Sequence, residues 1–228
     1  MMRRNIALIP AAGVGARFGA GKPKQYVEIN GKTVLQHTIE IFEQHSRIDL
    51  IAVILSPEDS VFQTALSEKV RIFRVGGASR AETVRNGVSV LLEQGLAEAK
   101  DNILVHDAAR CCLPAEALTR LLDEAGENDE GGILAIPVAD TLKRSDGSHH
   151  IDETVARAGL WQAQTPQLFQ TALLHRALSV DDLSEITDEA SAVEKLGIRP
   201  RLVQGDTRNL KLTLPQDEYI VRLLLKAV

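Results

Sequence analysis

The sequence predicts an α/β fold in which a mainly parallel sheet carries helices on both faces. Two observations predict it. Short aliphatic runs bounded by Gly, Pro or charged residues recur along the chain, which is how strands buried on both faces read. Between them lie segments with apolar residues at helical spacing, and that alternation marks parallel strands joined by crossover helices.

Taken in order, Ile6 to Ile9 is the first expected strand, and Leu35, Ile39 and Phe42 mark the first helix. Leu50 to Leu55 and Val70 to Val75 read as the next two strands, followed by a helix carrying Val84, Val88 and Leu91. Ile103 to Val105 is a fourth strand, Leu118, Leu121, Leu122 and Ala125 a further helix, and Ile133 to Val138 a fifth strand. Ile220, Leu223, Leu224 and Ala227 give a last helical stripe. One stretch breaks the rhythm: Thr141 to Ile151 is polar and contains Asp146-Gly147 between possible strands, a hairpin signal. An isolated ribbon is marginal in water. Docking against a second subunit is the favoured reading, a loose surface hairpin the other.

The 228 residues, 44% hydrophobic and 25% charged, fit one soluble domain spanning 1–228. A net charge of −5 argues against a general nucleic-acid or membrane-surface binder. No apolar run approaches the ~20 residues of a membrane span, and Ile6 to Pro10 is too short for the core of a secretory signal. Cys111 and Cys112 are adjacent and are the only cysteines, which excludes a disulfide framework and a CxxC site. A cytoplasmic location is expected.

In parallel sheets ligands sit beyond the carboxyl ends of the strands. After the first strand comes Pro10-Ala11-Ala12-Gly13-Val14-Gly15-Ala16-Arg17-Phe18-Gly19, and then Lys22-Pro23-Lys24. The dinucleotide pattern fails because Phe18 stands where the third Gly belongs. A Walker A loop fails because Ala16 and Pro23 replace its Gly and Ser/Thr. Small residues let backbone N–H groups approach phosphates, and the cations Arg17 and Lys24 favour a polyphosphate site over a bare turn. Gly76-Gly77-Ala78-Ser79-Arg80 repeats this Gly-rich entry to a helix, with Thr83 either capping it or contacting a sugar hydroxyl. His106-Asp107-Ala108-Ala109-Arg110 follows another strand. There Asp107 could help hold a metal ion at a triphosphate, or could cap a helix. Lys211 is a single lysine near a late strand. The six histidines form no metal constellation, and no GxSxG elbow or triad is visible. A missing nucleophile fits a substrate phosphate as the attacking group. It is already ionised, so the protein needs only to position it and stabilise charge.

These motifs resemble the 2-C-methyl-D-erythritol 4-phosphate cytidylyltransferase family. Seven ordered blocks carry the resemblance: IPAAGVGARFG…PKQY (9–26), GGASRAETV (76–84), HDAAR (106–110), PVADTLK (137–143), TVARAGLWQAQTPQLF (154–169), TDEAS (187–191) and NLKLT (209–213). The resemblance implies a Rossmann-like nucleotidyltransferase fold with a β-arm, placed at 138–160, that interlocks two subunits. It implies transfer of CMP from CTP to methylerythritol 4-phosphate, with Mg²⁺ on the triphosphate. Arg17 and Lys24 would stabilise charge at the α-phosphorus, while Lys211 and the partner arm's Arg157 position the acceptor phosphate. Pro10, Ala11, Ala12, Gly13 and Gly15 would surround CTP from one side, and Gly77, Ala78, Arg80, Thr83, Asp107 and Ala108 from the other. Arg110, Thr141, Thr165 and Thr187 are the further acceptor-side candidates. Three positions depart from the family's usual residues: Ala78 for Asp, Thr83 for Ser and Cys111 for Pro. The rival readings are a ribitol 5-phosphate cytidylyltransferase, decided around Thr141, Arg157 and Lys211, and a non-catalytic nucleotide-binding regulator, which would need no paired Arg17 and Lys24.

Overall fold

The computed structural model describes residues 3–13, 23–62 and 67–226. Its strands are β1 (Asn5–Pro10), β2 (Glu28–Ile29), β3 (Lys32–Thr33), β4 (Leu50–Ile54), β5 (Val70–Phe73), β6 (Asn102–Val105), β7 (Gly132–Pro137), β8 (Leu142–Ser145), β9 (Ile151–Val155), β10 (Trp161–Gln170) and β11 (Arg201–Gln204). Its helices are α1 (Val34–Gln44), α2 (Arg80–Glu93), α3 (Ala115–Ala125), α4 (Thr171–Leu178), α5 (Glu189–Glu194) and α6 (Asp217–Leu224).

Seven strands form one sheet in the order β11-β7-β10-β6-β1-β4-β5. Neighbours run parallel except at β10, which is antiparallel to both β6 and β7. Alternation along the strands sorts the core into two layers. Ile6, Leu8, Ala52 and Ile54 pack with Val84, Val88 and Leu91 of α2 and with Leu174 and Val193 of α4 and α5. Ala7, Ile9, Ile51 and Val53 face the other way, against Leu35 and Phe42 of α1 and Leu118 and Leu122 of α3. Each such aliphatic or aromatic side chain, fully removed from water, contributes about 1.5–3 kcal/mol. The two layers are therefore what hold the sheet between its helices.

Helix starts are set locally. Thr33 with Gln36 caps α1 and Ser79 with Glu82 caps α2, each as a reciprocal capping box. Gly87 lets α2 lie close on the sheet, since a Cβ there would come within 2.8 Å of Ile54. The five expected strands are present as β1, β4, β5, β6 and β7. The apolar stripe expected of the last helix turns outward instead: Ile220 and Leu223 of α6 are exposed, Val221 is its buried contact, and Ala227 lies outside the described residues. Val221 joins a small third core with Ile29, Val34, Ala109, Cys111 and Leu212. β8 and β9 pair antiparallel as a two-stranded sheet of their own, with every residue from Lys143 to Thr154 exposed. No helix among the described residues is long and apolar enough to cross a membrane.

Candidate active site

Parallel β1, β4, β5 and β6 all end on the same edge, and a cleft of about 380 Å³ opens there. After β1, the backbone N–H of Ala11 donates to Ile54 O at 2.8 Å, carrying the chain one residue past the sheet. Ala12 and Gly13 follow into the cleft wall. Gln25 then closes this corner: its amide donates to Ala11 O at 3.0 Å and Gly13 O at 2.9 Å. That buried amide seats the short 3-10 turn Lys24–Tyr26, so Lys24 lines the cleft. Gly15 and Arg17 lie outside the described residues.

The opposite wall is the turn into α2. Gly76 packs so tightly on Ala12 and Leu55 O that a Cβ would meet them at 2.3 and 2.8 Å, so only glycine fits without displacement. The backbone N–H of Ala78 donates to Glu82 Oε2 at 2.7 Å, and that of Gly77 donates to Thr83 Oγ1 at 3.1 Å. The Thr83 hydroxyl in turn donates to Ser79 O at 2.9 Å. Gly77, Ala78, Arg80 and Thr83 thus line the cleft, with three of their polar groups already used to shape the turn. The Ala78 N–H is committed to Glu82.

The floor holds a chain of charges. Asp107, just beyond β6, takes Arg80 Nε on Oδ1 at 2.9 Å and Lys211 Nζ on Oδ2 at 2.8 Å. Arg110 Nε lies 3.5 Å from Oδ2. Burial alone would raise the Asp107 pKa, but Arg80 and Lys211 outweigh it and hold the carboxyl far below the usual carboxylate range. Behind Arg80, buried Glu189 accepts from Nη1 at 2.7 Å and Nη2 at 3.1 Å. Burial opposes the Arg80 charge, yet Glu189 and Asp107 more than compensate and raise its pKa.

His106 sets the shape of this loop. Its Nε2 faces Arg110 O at 2.9 Å, which only an N–H can satisfy, so Nδ1 is the acceptor and takes the Thr165 hydroxyl at 3.0 Å. Thr165 Oγ1 also accepts from Asp107 N at 3.1 Å. With the ring wholly buried, desolvation pushes its pKa down to about 4. Nearby, Arg110 Nη1 donates to Asn209 O at 2.6 Å, and Leu212 N donates to Ala109 O at 2.9 Å. These bonds moor the Asn209–Leu212 segment that carries Lys211.

Among the expected residues, Pro10, Ala11, Ala12, Gly13, Lys24, Gly77, Ala78, Arg80, Thr83, Asp107, Ala108 and Lys211 converge on the cleft. Arg110, Thr141, Arg157, Thr165 and Thr187 do not line it. Thr165 is buried and its only proton goes to His106, so it braces the site from behind. Arg110 does the same toward Asp107 and Asn209. Thr141, Arg157 and Thr187 are exposed. Sequence reasoning missed Gln25, Ser56, Ser79 and Glu189. Gln25 lies inside the PKQY block and bonds back to Ala11 and Gly13 across the intervening loop, while Glu189 lies inside TDEAS with its partner Arg80 109 residues away.

Asp107 is the expected helper for a metal ion carried mainly by a triphosphate. It is the one carboxylate among the described residues lining the cleft, and both its oxygens already face cations. No cluster of three or more His, Cys, Asp or Glu among the described residues could hold a metal ion. This donor set does not fit a metal held by the protein.

A family model described as 2-C-methyl-D-erythritol 4-phosphate cytidylyltransferase (IspD) matches residues 5–227. The 2-C-methyl-D-erythritol 4-phosphate cytidylyltransferase of Neisseria meningitidis (serogroup C / serotype 2a) is 70% identical over 231 residues, covering 100% of both chains. The protein of that name from Chromobacterium violaceum is 49% identical over 97% of this chain and 98% of its own. A crystal structure of a 4-diphosphocytidyl-2C-methyl-D-erythritol synthase superposes with a TM-score of 0.89 at 64% identity, covering 99% of this chain and 100% of that one. The Francisella tularensis 2-C-methyl-D-erythritol 4-phosphate cytidylyltransferase gives 0.82 at 31%, covering 97% and 99%.

Proposed function

This chain belongs to the 2-C-methyl-D-erythritol 4-phosphate cytidylyltransferase family, and on that premise we propose that it transfers CMP from CTP to 2-C-methyl-D-erythritol 4-phosphate. An acceptor phosphate oxygen attacks the α-phosphorus of CTP, a new P–O bond forms, and the bond to pyrophosphate breaks. The attacking oxygen is already ionised, so no general base is required. The chain's own work is placement and charge. Lys24, with Arg17, meets the charge that grows on the α-phosphate and the departing pyrophosphate. Lys211, held from behind by Asp107, receives the acceptor phosphate. The observation that carries the reading is the placement of Lys24 and Lys211 around one cleft at the carboxyl ends of four parallel strands. Mg²⁺ enters on the triphosphate, as part of the substrate.

We read residues 1–228 as one domain working in the cytoplasm, with 138–160 as an arm that docks a second copy. The lone exposed sheet of β8 and β9, with Ile151 67% exposed at its start, supports the arm. Arg157 stands at the arm's root and away from its own cleft, which suits delivery into the partner's cleft. Thr141 and Thr187 would contact the acceptor.

The test is pyrophosphate release with CTP and Mg²⁺, offering methylerythritol 4-phosphate and ribitol 5-phosphate separately, with ATP, GTP and UTP as controls. Release with CTP and methylerythritol 4-phosphate alone is the expected result. Release with ribitol 5-phosphate alone would overturn the acceptor, and CTP binding without release would overturn the enzyme reading.

A further inference from the structure

Glu189 lies outside the cleft, yet it is the most deeply buried carboxylate of the charge chain, with its side chain 1% exposed. It opens α5, 109 residues from its partner Arg80. Both its oxygens grip the two terminal nitrogens of that guanidinium. A buried ion pair gains little stability over a well-packed apolar pair, so what this pair contributes is orientation.

The orientation has a consequence two contacts away. A guanidinium is a rigid planar fork that prefers to meet a carboxylate with two nitrogens. With its terminal nitrogens held by Glu189, Arg80 reaches Asp107 through Nε alone, on Oδ1. Oδ2 is left for Lys211 at 2.8 Å, with Arg110 Nε farther off at 3.5 Å. Without that grip, Arg80 can turn and fork both Asp107 oxygens, and the ammonium loses its anchor. We propose that Glu189 is a positioning residue which, by holding Arg80 to a single-nitrogen contact, keeps Asp107 Oδ2 for Lys211 and so fixes the ammonium in the cleft. The consequence for catalysis rests on the proposed function, in which Lys211 meets the acceptor phosphate.

Glu189→Gln tests this, because the amide keeps the shape and loses the charge and one acceptor. We expect kcat/KM for methylerythritol 4-phosphate to fall tenfold to a hundredfold, with KM for CTP changed less than threefold. In a Lys211→Ala background the same substitution should cost less than threefold, because the group it positions is gone. Glu189→Asp, too short to hold the fork, should fall between; it replaces Glu189→Gln in the cycle if that variant does not fold. Losses that multiply in the double variant, or equal rises in both KM values, overturn the proposal. A crystal structure of the variant reads the geometry whatever the substrate is: Lys211 displaced from Asp107 supports the proposal, and an unchanged 2.8 Å contact sinks it. Wild-type turnover, measured first, shows separately whether the functional reading holds.

Discussion

Lowering the pH from 7 to 5 should destabilise this protein chiefly through one imidazole. His106 is wholly buried, and desolvation takes its pKa down to about 4 against partial compensation from Arg110 O and Asp107. In the unfolded chain a histidine binds its proton near pH 6.5. The folded state therefore favours the neutral ring. The stability this confers is complete above about pH 6.5 and is lost as the pH falls toward about 4. At pH 5 most unfolded chains carry the proton and most folded chains do not, which costs about 2 kcal/mol, rising to about 3 once the pH is below both values. The structural reason is specific. A protonated ring keeps its Nε2 bond to Arg110 O, but its Nδ1 can no longer accept from the Thr165 hydroxyl. Urea unfolding of wild type and His106→Gln at pH 7, 6 and 5 reads the effect. The variant is less stable throughout, but its decline between pH 7 and 5 should be smaller by about 2 kcal/mol. His45, whose pKa is also lowered by burial, is present in both proteins and cancels. Parallel declines would refute the reasoning, as would an imidazole titration by NMR with a midpoint near 6.5.

Two further substitutions separate bracing from chemistry. Lys24→Ala should fold normally and lose about a hundredfold or more in kcat, or about 3 kcal/mol of barrier; normal turnover would remove Lys24 from the site. Thr165→Val leaves Asp107 N–H and His106 Nδ1 without their buried partner, at a cost of about 1–3 kcal/mol in unfolding free energy. Its KM for the acceptor should change little in the folded enzyme, and a large rise at unchanged stability would return Thr165 to direct substrate contact.

The strands that could be read from the sequence are those whose residues are buried on both faces. Ile6 to Ile9 in β1, all of β4 and Ile103 to Val105 in β6 are unbroken apolar runs because the two helical layers leave no side of them wet. β10 gives no such run: Trp161, Gln162, Gln164, Thr165 and Gln167 interleave with few aliphatics. Gln164, Thr165 and Gln167 are buried all the same, because they bond to loops rather than to water. Gln167 donates to Asp188 Oδ2 at 2.8 Å, and Gln164 donates to Asp206 O at 2.8 Å. Periodicity cannot register a polar side chain whose partner comes from a distant loop. α6 failed for the opposite reason. Its stripe of Ile220, Leu223 and Leu224 looked like a core face, but the one deep contact is Val221, against the small core beside Ala109 and Leu212. The site divides along the same line. Residues that follow a strand were found from the chain order, whereas Gln25 and Glu189 act through bonds that only the fold brings together.

That division also explains which cations face the cleft. Among the described residues of the site, Arg80 and Arg110 are turned inward, onto Glu189, Asp107 and the Asn209 carbonyl. Lys24 and Lys211 line the cleft wall beside Arg80. A guanidinium suits the inward task because its fork fixes an angle as well as a distance, and it keeps its charge when buried. An ammonium suits the outward one. As a compact charge on a flexible stem it can follow oxygens whose charge shifts as one P–O bond forms and another breaks. The charged residues lining the described cleft are Lys24, Arg80 and Lys211 against Asp107, inside a chain of net charge −5. A positive cleft in an acidic protein attracts small polyanions while the rest of the surface repels large ones. The inward-turned arginines therefore brace the site, and Lys24 and Lys211 on the cleft wall are the cations we propose for the transfer.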